Sequence, residues 1–136
     1  MQYKNSLTMQ GIAMLLMLLL QYFLGMYTNL YVQFPNGQHG DILWEFAWKQ
    51  LPLVLHIILG ILLIVNAIIL IIRSFLQKNK TWIKASIIGY VGIQIAALSG
   101  AAFIPTQVAI YSFSMSLCFL LALLAYGYGI YASKVK

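Results

Sequence analysis

Residues 51–73 read LPLVLHIILGILLIVNAIILIIR. From Gln50 up to Arg73 there is no charged residue, and the one titratable group is His56. The hydrocarbon core of a bilayer takes about 20 apolar residues of helix. This stretch therefore predicts a membrane span. An ionisable side chain inside such a helix is costly, so it faces a partner, a cavity or a ligand. His56 is accordingly the first candidate functional residue.

The rest of the chain is of the same kind. Of 136 residues, 62% are hydrophobic and only 7% charged, and the mean hydropathy is +0.90. Soluble domains carry about 25% charged residues, so this chain has too few to cover a water-facing surface. The predicted fold is all-α: one domain over residues 1–136, a bundle of four membrane spans at about 7–32, 50–72, 82–104 and 107–131. A soluble catalytic domain has no room. The first apolar run is longer than a signal-peptide core and no small-residue cleavage site follows it, so it reads as a retained span. The single cysteine, Cys118, lies in an apolar run and has no partner for an intrachain disulfide.

Charge placement gives orientation. Lys4, Arg73, Lys78, Lys80, Lys84, Lys134 and Lys136 all fall on one side of the four spans. Lys49, Asp41 and Glu45 fall on the other. The positive-inside bias places both termini in the cytoplasm of a cell-membrane protein and the 33–49 loop outside. The net charge of +6 thus serves topology. It makes no basic face with interleaved aromatics, and no nucleic-acid partner is expected.

The outer loop reads QFPNGQHGDILWEFAWK over residues 33–49. Pro35-Asn36-Gly37 signals a turn. A short amphipathic helix is expected after Gly40, with Trp44 and Trp48 on one face at headgroup depth. It is either an interfacial re-entry helix or a lid. His39 and Glu45 read first as solvated loop residues; the sharper readings are a second ligand for His39 and a pocket-mouth acid or base for Glu45. A short outward turn is expected at Pro105–Thr106.

Polar residues within the spans concentrate toward the outer side. His56 lies about 6 Å below the start of its helix at Pro52. Gln21, Gly25, Thr28 and Asn29 share a side of span one. Gln94 and Ser99 lie in span three, and Ser112 and Ser116 in the outer half of span four. The inner half reads as apolar apart from Asn66 and Ser86. Gly60, one turn from His56, leaves room beside the imidazole, and Leu63 and Ala67 continue that stripe. Gly89, Gly92, Ala96 and Gly100 in span three either let helices approach closely or make room for a flat ligand. The candidate binding set is His56, Gly60, Gly25, Asn29, Gln21, Gln94, Ser112 and Ser116, with His56 as the candidate metal ligand. Three readings stay open for His56: a hydrogen bond between helices, ligation of a heme iron or other metal, and binding of a quinone-like ligand.

Gln21-Tyr22-Phe23-Leu24-Gly25 in span one, with His56 and Gly60 in span two, resembles one four-helix half of the heme A synthase family. The resemblance implies a four-helix bundle with a heme site toward the outer face and His56 as an axial ligand. It covers the layout of all four spans but few residues in motif. Span four has no histidine where the family places a second one, Asn29 stands where the family has arginine, and Glu45 lies eleven positions before His56. Heme A synthesis itself is therefore not expected, and heme bound by this chain alone would have His56 as its simplest protein ligand.

Other classes are weaker. Proton-coupled four-span exporters need a carboxylate within the membrane, and both acidic residues lie in the loop. No ring of charge or repeated polar stripe marks a channel. The expected function is an outer-leaflet pocket around His56 for heme or a quinone-like ligand, in electron transfer or heme handling. The alternative is a non-catalytic accessory or scaffold subunit of a larger membrane complex, or a homo-oligomer.

Overall fold

A computed structural model describes the backbone of residues 2–134 and the side chains from Ser6 to Lys134. Lys4 and Lys136, which enter the charge count, lie outside the described side chains. The described residues form five helices and no strand. They are α1 (Gln2–Tyr31), α2 (Asp41–Lys49), α3 (Leu51–Leu76), α4 (Lys80–Thr106) and α5 (Ala109–Lys134). Four of these, all but α2, are long and apolar enough to cross a membrane. In each, only 17–28% of the most apolar window is buried inside the bundle. Most apolar side chains face outward, as a lipid solvent requires and water would not permit.

The four long helices alternate in direction, and each packs on two others: α1 on α3 and α5, α4 on α3 and α5. One end of the bundle carries the start of α1, the end of α5 and the α3–α4 link. The other carries α2 and the α4–α5 turn.

The helix bounds differ from the expected spans at identifiable places. α3 continues one turn past Arg73 to Leu76. Ser74 is fully buried and donates to the Leu70 carbonyl at 2.6 Å, and the Arg73 guanidinium is engaged within the bundle, so the charge does not end the helix. Asn79 then caps α4, its side chain accepting from the Trp82 N–H at 3.2 Å. The turn expected at Pro105–Thr106 is instead the last turn of α4. The helix ends at Gln107, whose φ of 55° is left-handed and whose N–H donates to the Phe103 carbonyl at 2.7 Å. α5 therefore begins at Ala109, not Gln107.

The expected loop helix is present as α2. Gly40, at φ 71°, supplies the left-handed residue before it, and its N–H donates to the Pro105 carbonyl at 3.1 Å. Leu43 and Ala47, one turn apart, are fully buried against a cluster that includes Leu53 and Ile104. Trp44 and Trp48 stack at 6.3 Å. α2 is thus seated on α3 and α4. Glu45 and Lys49 form an exposed ion pair of 2.6 Å; the hydrogen bond from the Lys49 ammonium, then its charge, holds the Glu45 carboxyl below its ordinary 4.5.

Small residues set how closely the long helices approach. Trp82, fully buried, lies where a Cβ on Gly11 of α1 or Gly129 of α5 would collide with its indole. The ring of Tyr126 occupies the space beside Gly89, and the Cys118 carbonyl would lie 2.8 Å from a Cβ on Gly92. Gly89, Gly92 and Gly129 serve close approach of α4 and α5, and Gly11 admits the α4 indole beside α1. The room they leave is filled by protein.

Candidate functional site

His56 projects from the first turns of α3 toward α1, and Gln21 meets it. The Gln21 amide nitrogen lies 3.1 Å from the His56 carbonyl oxygen and 3.2 Å from imidazole Nε2. An amide nitrogen only donates, so Nε2 accepts. That assigns the neutral tautomer with its proton on Nδ1. Nδ1 is buried and no protein group reaches it; the same holds for the Gln21 carbonyl oxygen Oε1. One joint therefore leaves a donor and an acceptor open.

Two glycines shape this joint. A Cβ on Gly25 would lie 3.0 Å from His56 Cε1, so Gly25 is what lets the ring come this close to α1. A Cβ on Gly60 would lie 3.4 Å from the Gln21 amide nitrogen, an ordinary contact. Four of the expected site residues, Gln21, Gly25, His56 and Gly60, are thus brought together.

The other four are not. Asn29 is exposed one turn beyond Gly25, and Thr28 donates to the Gly25 carbonyl at 2.8 Å. Gln94 is half-buried on α4, with no hydrogen bond to His56 among the described residues. Ser116 is exposed and donates to the Ser112 carbonyl at 3.1 Å, within its own helix. The serine that does join helices is Ser114, bonded to Ser99 at 3.1 Å. The reason is rotation: Ser112 and Ser116 lie one turn apart on a shared face, and Ser114 stands on the opposite one. His39 is exposed in the loop. No group of three or more His, Cys, Asp or Glu residues able to hold a metal occurs among the described residues.

A second polar joint lies deeper on the same α1–α3 seam. Arg73 donates to Gln10 Oε1 at 2.6 Å, and the Gln10 amide nitrogen donates to Asn66 Oδ1 at 2.9 Å. Nearer the chain ends, the Gln77 amide donates to Ser6 at 3.3 Å. The expectation that this half is apolar apart from Asn66 and Ser86 is corrected: Gln10 and Arg73 belong to it. Register was the available signal. Gln10 stands eleven residues from Gln21 and Asn66 ten from His56, steps of about 16 and 15 Å along antiparallel helices. A partner for one joint predicts the other.

No known protein family, curated protein or solved structure matches the chain. Function is therefore argued from the joint itself.

Proposed function

We propose that the chain is a small integral protein of the cell membrane, with both termini cytoplasmic, whose functional centre is the Gln21–His56 joint. The joint receives the hydrogen-bonding head of an apolar ligand of the quinone kind. The observation that carries this is the open pair, Nδ1 of His56 and Oε1 of Gln21, both buried and without a protein partner. A buried donor or acceptor left unsatisfied costs about 1–3 kcal/mol. A quinone carbonyl accepts from Nδ1–H, and its reduced hydroxyl donates to Oε1. Both redox forms have a counterpart at one site. Orientation is supported by the basic residues of the α3–α4 link and the acidic residues on α2, at opposite ends of the bundle.

Heme is the competing ligand, supported by the resemblance to half of a heme A synthase. Its iron takes an imidazole lone pair, and the Nε2 lone pair is held by Gln21. Heme therefore requires Gln21 to swing away, and no histidine on α5 completes the coordination.

A second reading, an accessory subunit without a ligand, is favoured by the direct bond between the helices and by Gly25 against the ring. Thermal unfolding in detergent separates the three. Decylubiquinone should raise the melting temperature of the wild type but not of His56→Leu. Protein from heme-replete cells with a Soret band that vanishes in His56→Ala would establish heme instead. A colourless protein indifferent to both decylubiquinone and added hemin leaves the accessory reading and refutes the proposal.

A further inference from the structure

The outer face of α5 carries two shallow grooves that meet at Leu124 and Tyr128. One, of about 300 Å³, lies between α4 and α5, with Ala85, Ala125 and Leu121 in its walls and Lys84 at its rim. The other, of about 480 Å³, lies between α5 and α1, bordered by Leu15, Leu19, Gly127 and Tyr131. Both are almost wholly apolar, and neither includes the Gln21–His56 joint.

Two features of these grooves specify an occupant. The first is depth. Along α5 they run from Leu121 to Tyr131, about 15 Å of helix, or half of a hydrocarbon core about 30 Å thick. That is the reach of acyl chains in one leaflet. The second is charge. Lys84 stands at the first groove, Lys80 lies one turn before it, and Lys134 lies one turn beyond Tyr131. The chain's two acidic side chains, Asp41 and Glu45, are on α2 at the opposite end. No carboxylate side chain neutralises this end.

We propose that these paired grooves bind one anionic two-chain phospholipid. One acyl chain lies on each side of the Leu124–Tyr128 ridge, and the phosphate sits among Lys84, Lys80 and Lys134. Gly127 opens the second groove, since a Cβ there would meet nothing within 4 Å. A larger side chain at 127 starts into open space and competes with an acyl chain for the groove.

The test is native mass spectrometry of the full chain released from detergent with dioleoyl phosphatidylglycerol or dioleoyl phosphatidylcholine. The wild type should retain one phosphatidylglycerol in clear preference to phosphatidylcholine. Lys84→Gln should lower that preference about fivefold, the worth of one lysine near an anionic headgroup. Gly127→Leu should reduce retention of either lipid while its helix content stays that of the wild type and its melting temperature does not fall. Equal retention of the two lipids by the wild type would overturn the proposal. So would a preference untouched by Lys84→Gln, or a dimer lost in Gly127→Leu, which would make a second copy the occupant.

Discussion

Alanine at Gly25 and alanine at Gly60 are the same chemical change on two sides of one joint, and the structure gives them opposite signs. Replacing a helical glycine by alanine contributes about 1 kcal/mol of helix propensity. At Gly60 the new methyl lies 3.4 Å from the Gln21 amide nitrogen, so that gain is kept. At Gly25 it lies 3.0 Å from His56 Cε1, about 0.5 Å inside the distance at which carbon atoms rest. The ring has to retreat by a few tenths of an ångström. Its bond to Gln21, already 3.2 Å, then moves toward the limit of a hydrogen bond. Overpacking of this kind costs about 1–3 kcal/mol, more than the propensity returns. Gly60→Ala should be up to about 1 kcal/mol more stable than the wild type, and Gly25→Ala up to about 2 kcal/mol less stable. Reversible unfolding in mixed micelles, followed by helix content against the fraction of denaturing detergent, measures both. A Gly25→Ala protein as stable as Gly60→Ala would refute the placement of the imidazole against α1.

Other consequences follow from the same packing. Gly89→Ala drives a methyl into the Tyr126 ring, which is fully buried, and should lower stability by about 1–3 kcal/mol in the same assay. Tyr126→Phe should not destabilise, because the hydroxyl it removes is buried without a protein partner; a clear loss of stability would reveal a partner. In the deeper joint, Asn66→Leu removes the acceptor of the Gln10 amide. It should cost about 0.6 kcal/mol, the average for hydrogen bonds between membrane helices, and at most about 1.7 kcal/mol. On α2, the folded Glu45 carboxyl titrates below its ordinary 4.5 because of Lys49. Its ion pair is therefore formed above that pH and lost as pH falls through the lowered value. A carbonyl-carbon NMR titration should show this, with Lys49→Gln returning Glu45 toward the ordinary value.

The sequence was a good guide wherever a property belongs to one helix. Length and hydropathy located four spans, and Gly40 and the spacing of Trp44 and Trp48 located α2. It was a poor guide wherever two helices have to be set against each other. Ser112 and Ser116 share the depth of Ser114 but face away from Ser99, and hydropathy does not report rotation about a helix axis. Arg73 looked like a boundary because a charge usually ends a span, yet Gln10 across the seam accepts from it. Trp82 stood only as the first residue of an expected span. Only the coincidence of Gly11 and Gly129 on its two sides makes it the centre of the core. Pro105 read as a turn, whereas the α4 helix runs through it to Thr106.

His56 accepts through Nε2 and is proposed to offer its Nδ1–H to a ligand. Nitrogen NMR of protein labelled at histidine, in bicelles with and without decylubiquinone, addresses it directly, with His39→Gln removing the loop signal. A neutral His56 ring is expected, protonated at Nδ1 and unprotonated at Nε2, where it accepts from Gln21, with an Nδ1 signal that moves when decylubiquinone is added. A proton on Nε2, or an Nδ1 signal that decylubiquinone leaves where it was, would contradict it.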